Sequence, residues 1–479
     1  MTALRHLRLL FVALSFASLS WEVSAQSIPE AEIGLMAIGR LATRHAREIS
    51  GSDWSIGCEV LDRDLANYDH YKSYLGPLGA KHARLQAGWA KTEKTKGLHD
   101  WAWLDAVVDD MRRQGVQPWM QFSYGNPIYP GGGGPTLGDG IPKSPEALEA
   151  WDDWVRGTVR RFRDRVHEWE VWNEPDGGPA RELFTVEEYA RLFVRTAEIV
   201  RTEQPGARLY ALSLAGGAPY MEEFLRFMRD WDKLALIDAI TFHGYPKNPD
   251  ETRLERFQKV LETLRLGIPL RQCETGAPST TGTSGALGNF PGSELTQAKW
   301  ILRRALAFHG HDVPFSLFTL MEFDYAGQPH TGINSKGLLK ANPDKTVAGV
   351  KASYRAAQHI FSLFDDSWVR LREFAIRAET SEKLAAYAFR QPETGKHLVV
   401  AWASGAMPTE SLATTAIDLE LPGITLAEPV VGDLRTGIVY RVPPEHIVRA
   451  PGAPLRIRQM PIYDSPIVVA ERTALRLQP

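Results

Sequence analysis

Two glutamates stand where a carboxyl group is costly to bury unless it is used. Glu174 closes the run Trp169-Glu170-Val171-Trp172-Asn173, and Pro175 ends the strand because proline cannot donate to a ladder. Glu274 closes Pro269-Leu270-Arg271-Gln272-Cys273, and Thr275-Gly276 breaks that run. Two carboxyl groups flanking one bond are what glycoside hydrolysis requires, one holding a proton and the other charged. Asn173 beside Glu174 can hydrogen-bond a sugar hydroxyl. The plainer alternatives are a surface carboxylate for Glu174 and an ion pair with Arg271 for Glu274. The tryptophans flanking Glu174 favour a site.

Such a pair needs a scaffold that brings strand ends to one rim. From about Trp54 to Phe323 short apolar runs alternate with amphipathic helical stretches. The strand candidates are Ser55–Val60, His82–Gly88, Gln117–Ser123, Glu168–Asn173, Arg208–Ser213, Ala239–Tyr245, Pro269–Thr275 and Pro314–Phe323. Ser144-Pro145, and Thr185 with Glu188 three residues on, are helix starts. A strand–helix unit repeated over roughly 250 residues predicts an α/β fold of the (β/α)8 TIM barrel kind, with its site at the C-terminal rim. A doubly wound sheet would want a glycine-rich phosphate loop after its first strand, and Gly57-Cys58-Glu59-Val60 is not one. From Trp368 onward short alternating runs separated by turn formers predict a closing antiparallel β-sandwich. The expected division is a leader over 1–25, an N-terminal segment over 26–53, the barrel over 54–365 and the sandwich over 366–479.

Trp172-Asn173-Glu174-Pro175 on the fourth strand, with Glu274 closing the seventh, resembles clan A of the retaining glycoside hydrolases. The nearest likeness is to family 39, the β-xylosidase and iduronidase group. The resemblance implies that Glu174 is the general acid and then the general base, that Glu274 is the nucleophile, and that Asn173 contacts the sugar. It implies that Arg84, in Ala83-Arg84-Leu85-Gln86, keeps the nucleophile ionised. His243 and Tyr245, in Phe242-His243-Gly244-Tyr245-Pro246, share one face by the two-residue strand period, and Tyr245 is expected to hydrogen-bond Glu274. Arg84 could instead be structural, and His243 a satisfied core histidine. On this reading Glu274 stays charged and Glu174 keeps its proton. Trp89, Trp172, Tyr124 and Tyr129 are candidate stacking faces for sugar rings, with core filling as the even alternative. Many clan members end the eighth strand with tryptophan, whereas Phe318-Thr319-Leu320-Met321-Glu322-Phe323 has none, and Glu322 becomes a candidate hydroxyl ligand.

The chain of 479 residues, 44% hydrophobic and 24% charged with a net charge of -3, gives no reason to expect nucleic acid or an anionic membrane as partner. Arg5, His6 and Arg8, the apolar run Leu9–Ala17 and Val23-Ser24-Ala25 read as a secretory signal cut after Ala25, so a secreted or periplasmic protein is expected. The two cysteines, Cys58 and Cys273, fall on non-neighbouring strands and are expected as free thiols. No cofactor or metal is expected, since His243 stands alone. The expected partner is a carbohydrate. A β-glycosidase of β-xylosidase type is favoured, with an α-L-arabinofuranosidase, an endo-acting hydrolase of the clan, or a non-catalytic carbohydrate-binding protein on the same fold as alternatives. Sugar identity and the choice between exo and endo action rest with the rim loops 125–143 and 276–294.

Overall fold

The structure is a computed structural model that describes residues 28–177, 180–326 and 331–478. The expected leader lies outside the described residues.

Eight parallel strands form the first sheet: β1 (Trp54–Gly57), β2 (His82–Gln86), β3 (Gln117–Phe122), β4 (Glu168–Val171), β5 (Arg208–Leu214), β6 (Ala239–His243), β7 (Leu270–Glu274) and β8 (Phe315–Leu317). They follow one another in order. β8 pairs with β1 through Trp54–Phe315 and with the end of β7 through a Thr275–Leu317 bridge, so the sheet closes into a barrel. Each strand lies where its apolar run predicted. Strands buried on both faces should be near-continuously apolar. Here Arg84, Gln86, Gln121, Glu170 and His243 interrupt them, and all five are buried. These polar residues mark the interior layer near the C-terminal mouth.

The principal helices are α1 (Ala102–Arg113), α2 (Pro145–Phe162), α3 (Val186–Glu203), α4 (Ala218–Asp230), α5 (Leu254–Leu264), α6 (Glu294–His309) and α7 (Ala352–Leu363). Ser144 caps α2 by accepting from the Ala147 amide, with Pro145 in the first turn, and Thr185 and Glu188 form a capping box on α3. α5 buries Leu254, Phe257, Val260, Leu261 and Leu264, the stripe of a helix with one face on a core. α6 is buried nearly all round because the second domain covers its outer side. Two of its bases are paired with acids: Lys299 Nζ lies 2.6 Å from Asp464 Oδ1, and Arg303 Nε 3.0 Å from Asp250 Oδ1, which also accepts from Trp402 Nε1 at 2.8 Å.

The closing domain stacks an eight-stranded sheet on a four-stranded one. Val399, Ala401, Ile417, Leu419, Ile457 and Val469 lie in the core between them. The N-terminal segment sends Ala37–Leu41 into the larger sheet, between Ile438–Arg441 and Leu477–Gln478. Cys58 and Cys273 are buried free thiols. Among the described residues no helix is long and apolar enough to cross a membrane.

Candidate active site

The barrel mouth is built by backbone irregularity at strand ends. Just past β4, Trp172 and Glu174 take left-handed conformations with φ of 66° and 48°. In β5, Leu212 and Ser213 do the same at 87° and 47°, where the register against β6 shifts. Such residues cost about 1–3 kcal/mol each and persist only where the surroundings impose them. The Glu174 amide donates to Ser213 O at 3.0 Å, which ties the two irregular segments together. The shift lets Ser213 Oγ meet Arg84 Nη2 at 2.8 Å and His243 Nε2 at 2.9 Å.

Arg84, on β2, is fully buried and serves three carboxylates. Its Nε and Nη2 donate to Glu170 Oε2 at 2.9 and 2.6 Å. Its Nη1 lies 3.2 Å from both Glu59 Oε1 and Glu274 Oε2. Nη2 also donates to Asn173 Oδ1 at 3.0 Å, which fixes that amide with its NH2 group left for another acceptor. A buried guanidinium surrounded by carboxylates in this way holds its charge.

Glu274 accepts the Tyr245 hydroxyl on Oε1 at 2.8 Å, and His243 Nε2 stands 3.5 Å from Oε2. Burial alone would raise its pKa, but the charges of His243 and Arg84, the Tyr245 hydrogen bond and Lys336 together bring it below the ordinary carboxylate value. His243 Nδ1 lies 2.7 Å from Glu174 Oε1. Burial works against a charge on His243, yet the carboxylates Glu274 and Glu174 hold its pKa well above the usual imidazole value. Glu174 and Glu274 keep 22% and 14% of their side-chain surface open, whereas Arg84 and His243 keep 0% and 1%. The two glutamates therefore face the mouth and the bases stand behind them. One oxygen of Glu174, one of Glu274 and a His243 nitrogen all lie within 4.8 Å of one another. Those three residues could also ligate a metal ion, although Glu174 and His243 already spend their facing atoms on a direct hydrogen bond.

Residues 84–271 match the model of glycosyl hydrolases family 39. The segment begins at Arg84, contains Asn173, Glu174, His243 and Tyr245, and stops just before Glu274. Over this stretch the chain is similar to the family 39 glycoside hydrolases. A β-xylosidase of Geobacillus stearothermophilus is 25% identical over 178 residues, 35% of this chain and 35% of that one, so the match spans about a third of that relative's length. The fold is shared more widely. A family 39 glycoside hydrolase from the gut symbiont Bacteroides cellulosilyticus WH2 superposes with a TM-score of 0.63 at 19% identity, over 90% of this chain and 83% of that one. A monomeric β-xylosidase from Caulobacter crescentus CB15 gives 0.57 at 16%, over 91% and 97%.

In the folded barrel Glu174, Glu274, Arg84, Asn173, His243 and Tyr245 lie together at one mouth. The aromatic candidates do not offer stacking faces. Trp89 is fully buried, stacked between Tyr129 and Trp154, with its Nε1 donating to Glu93 at 2.6 Å. Tyr129 is buried with it and donates to the same carboxylate. Trp172 packs against Trp151, Tyr124 and Phe184. Tyr124 is buried beneath Arg63, 5.1 Å from its ring, although it lies close enough to feel the charges of Glu174 and Glu274. These rings wall the site. Glu322 is likewise corrected: it is buried in an ion pair with Lys351, its Oε1 also 3.4 Å from Ser279 Oγ and its Oε2 accepting the Ala341 amide at 3.2 Å. Both oxygens are spoken for.

Several members were missed. Glu59 and Glu170 are buried around Arg84, and Gln121 Nε2 donates to Glu170 at 2.7 Å. Lys336 is buried, with Nζ 5.7 Å from the Tyr245 ring centre, and burial lowers its pKa to about 8 against the opposing pull of Glu274. Tyr325, reached by the chain after β8, feels Glu274, Arg63 and Glu174, and burial is the main cause that pushes its phenol up to about 12. Glu59 and Glu170 did carry a signal: each is an acidic residue within or next to an apolar barrel strand.

Proposed function

We propose that the protein is a retaining glycoside hydrolase of β-xylosidase type. The observation that carries this reading is that one oxygen of Glu174 lies within 4.8 Å of one oxygen of Glu274. Retaining enzymes hold their carboxyl groups at about 5–5.5 Å, and inverting enzymes need about 6.5–9.5 Å to admit a water. In the first step Glu174 gives its proton to the glycosidic oxygen as the bond from that oxygen to the anomeric carbon breaks. Glu274 adds to the anomeric carbon and forms a glycosyl ester. In the second step water attacks the same carbon, Glu174 takes the water's proton, and the ester bond breaks to return Glu274 as carboxylate. His243 occupies Glu174 Oε1, so Oε2 is the oxygen placed to carry the proton. The preference for β-xylosides is drawn from the β-xylosidase names of the Geobacillus and Caulobacter relatives. We further propose that the chain is exported on the strength of its N-terminal signal.

The test is a panel of aryl glycosides that includes the β-D-xyloside, with the first-formed product anomer read by proton NMR. Turnover with retained β configuration supports the reading, and Glu274→Gln should reduce it to background. An inverted product, or full activity in Glu274→Gln, overturns the mechanism. A folded protein that cleaves no member of the panel overturns the assignment.

A further inference from the structure

The two-step scheme leaves two carboxylates around Arg84, Glu59 and Glu170, without a role. Glu59 follows β1 and is 3% exposed. Its Oε1 takes one N–H of Arg84 Nη1 at 3.2 Å, and the same nitrogen stands 3.2 Å from Glu274 Oε2. Its Oε2 is buried with no hydrogen-bond partner among the described residues. A side chain at Gly57 would place its Cβ 2.1 Å from that oxygen, so glycine on β1 makes the space the carboxylate fills. A buried oxygen left unpartnered is destabilising, and nothing else at this end of β1 uses the group.

We propose that Glu59 is a positioning residue that shares the Arg84 Nη1 group with Glu274 and, through it, sets the charge balance of the Glu174–Glu274 pair. The proposal rests on the hydrolase reading. Arg84 brings one positive charge to Glu59, Glu170 and Glu274. Whether Glu59 is ionised decides how much of that charge the nucleophile feels, and whether a further negative charge stands beside the acid. Burial raises the Glu59 carboxyl to about 7, with Arg84 opposing and Glu274 adding to the rise. The other groups facing it differ. Cys58 and Tyr71 are pushed above their ordinary values chiefly by burial, and Tyr245 likewise, so all three stay neutral near pH 7. Glu170 lies across Arg84, and Lys336 and His243 face Glu274 from the far side.

The experiment is the pH profile of kcat/KM for wild type, Glu59→Gln and Glu59→Asp on the best aryl glycoside. Glu59 is neutral where Glu274 titrates, so the acid limb should not move in Glu59→Gln. Above neutrality the variant lacks a negative charge that helps the acid keep its proton. Its basic limb should therefore move down by about one pH unit, tenfold on that limb. Glu59→Asp, which keeps the charge, should recover part of the shift. A profile that superimposes on wild type, or is lowered equally at every pH, overturns the proposal. Infrared difference spectra of the wild-type protein across neutral pH give a second readout that needs no turnover or variant. A protonated-carboxyl band should disappear as the pH rises through about 7, and its absence also overturns the proposal. Failure of wild type to cleave any glycoside would instead refute the hydrolase reading, whatever the infrared result.

Discussion

Replacing Tyr245 by phenylalanine removes one hydroxyl and keeps the ring. That hydroxyl donates to Glu274 Oε1 at 2.8 Å. Burial, then the Glu274 charge, holds the phenol well above its ordinary value, so it remains a donor throughout any practical pH range. A hydrogen bond to a charged acceptor contributes about 1.5–3 kcal/mol. At about 1.36 kcal/mol per pKa unit, its loss should raise the Glu274 carboxyl by about 1–2 units. As the proposed nucleophile Glu274 must be ionised to attack, and its lowered pKa places the acid limb of kcat/KM below the ordinary glutamate value near 4.5. Activity is present above that limb and lost as pH falls through it. In Tyr245→Phe the limb should therefore move up by about 1–2 units, a ten- to hundredfold loss at a pH on the wild-type limb. The loss near pH 7 should be smaller. The same sign governs stability: a depressed carboxyl stabilises the fold above its unfolded pKa, and that contribution is lost as pH falls through the folded value. The assay is kcat/KM against pH for both proteins on one aryl glycoside, with thermal unfolding as control. An acid limb that stays in place, or moves down, would refute the claim that Tyr245 holds the nucleophile charged.

The Glu322–Lys351 pair is buried, and removing one partner of such a pair costs about 3–5 kcal/mol. Glu322→Ala should lower the unfolding midpoint sharply and leave KM for an aryl glycoside unchanged; a raised KM with unchanged stability would make Glu322 a sugar ligand after all. His359, on α7, lies 2.9 Å from the Leu434 carbonyl, and burial lowers its pKa to about 4. Its folded pKa lies below the unfolded value of 6.5, so the stability it contributes is present above pH 6.5 and lost as pH falls towards 4. That loss amounts to about 3 kcal/mol at most. Urea unfolding at pH 7 and pH 4.5 should show a smaller difference in His359→Gln than in wild type, and equal differences would count against this assignment.

The barrel was legible because its strands are buried on both faces and its helices on one, two periods that a sequence displays locally. The pair was legible for a related reason. Glu174 and Glu274 each end an apolar run beside a breaker, so side chain and strand end are marked together. Glu170 carries no such mark. It sits among Trp169, Val171 and Trp172, and only the phase of β4 around the barrel decides that it faces Arg84. The buried aromatics failed for the converse reason: a tryptophan is equally suited to a core and to a sugar platform, and only tertiary burial separates the two uses. Ala37–Leu41 could not be placed because its partners, Ile438–Arg441 and Leu477–Gln478, lie about 400 residues away. Leu455–Ile462 is hard to read as a strand because Arg456, Arg458 and Gln459 break its apolar pattern and the register shifts within it, although Leu455, Ile457 and Met460 fill the sandwich core.

Electrostatics was the least legible level, and it decides the chemistry. Read one strand at a time, Arg84 is a partner for Glu274. In the folded barrel it is also bound to Glu170 and Glu59, from the fourth strand and the end of the first. One guanidinium cannot neutralise three carboxylates. The deficit is met by His243 between Glu174 and Glu274, by Lys336 behind Tyr245, and by Glu59, whose carboxyl burial raises to about 7. A sequence motif points only to a candidate acid and a candidate nucleophile. Which of them is charged at a given pH is a property of the whole ring of strand ends, because every member of that ring competes for the same few N–H groups.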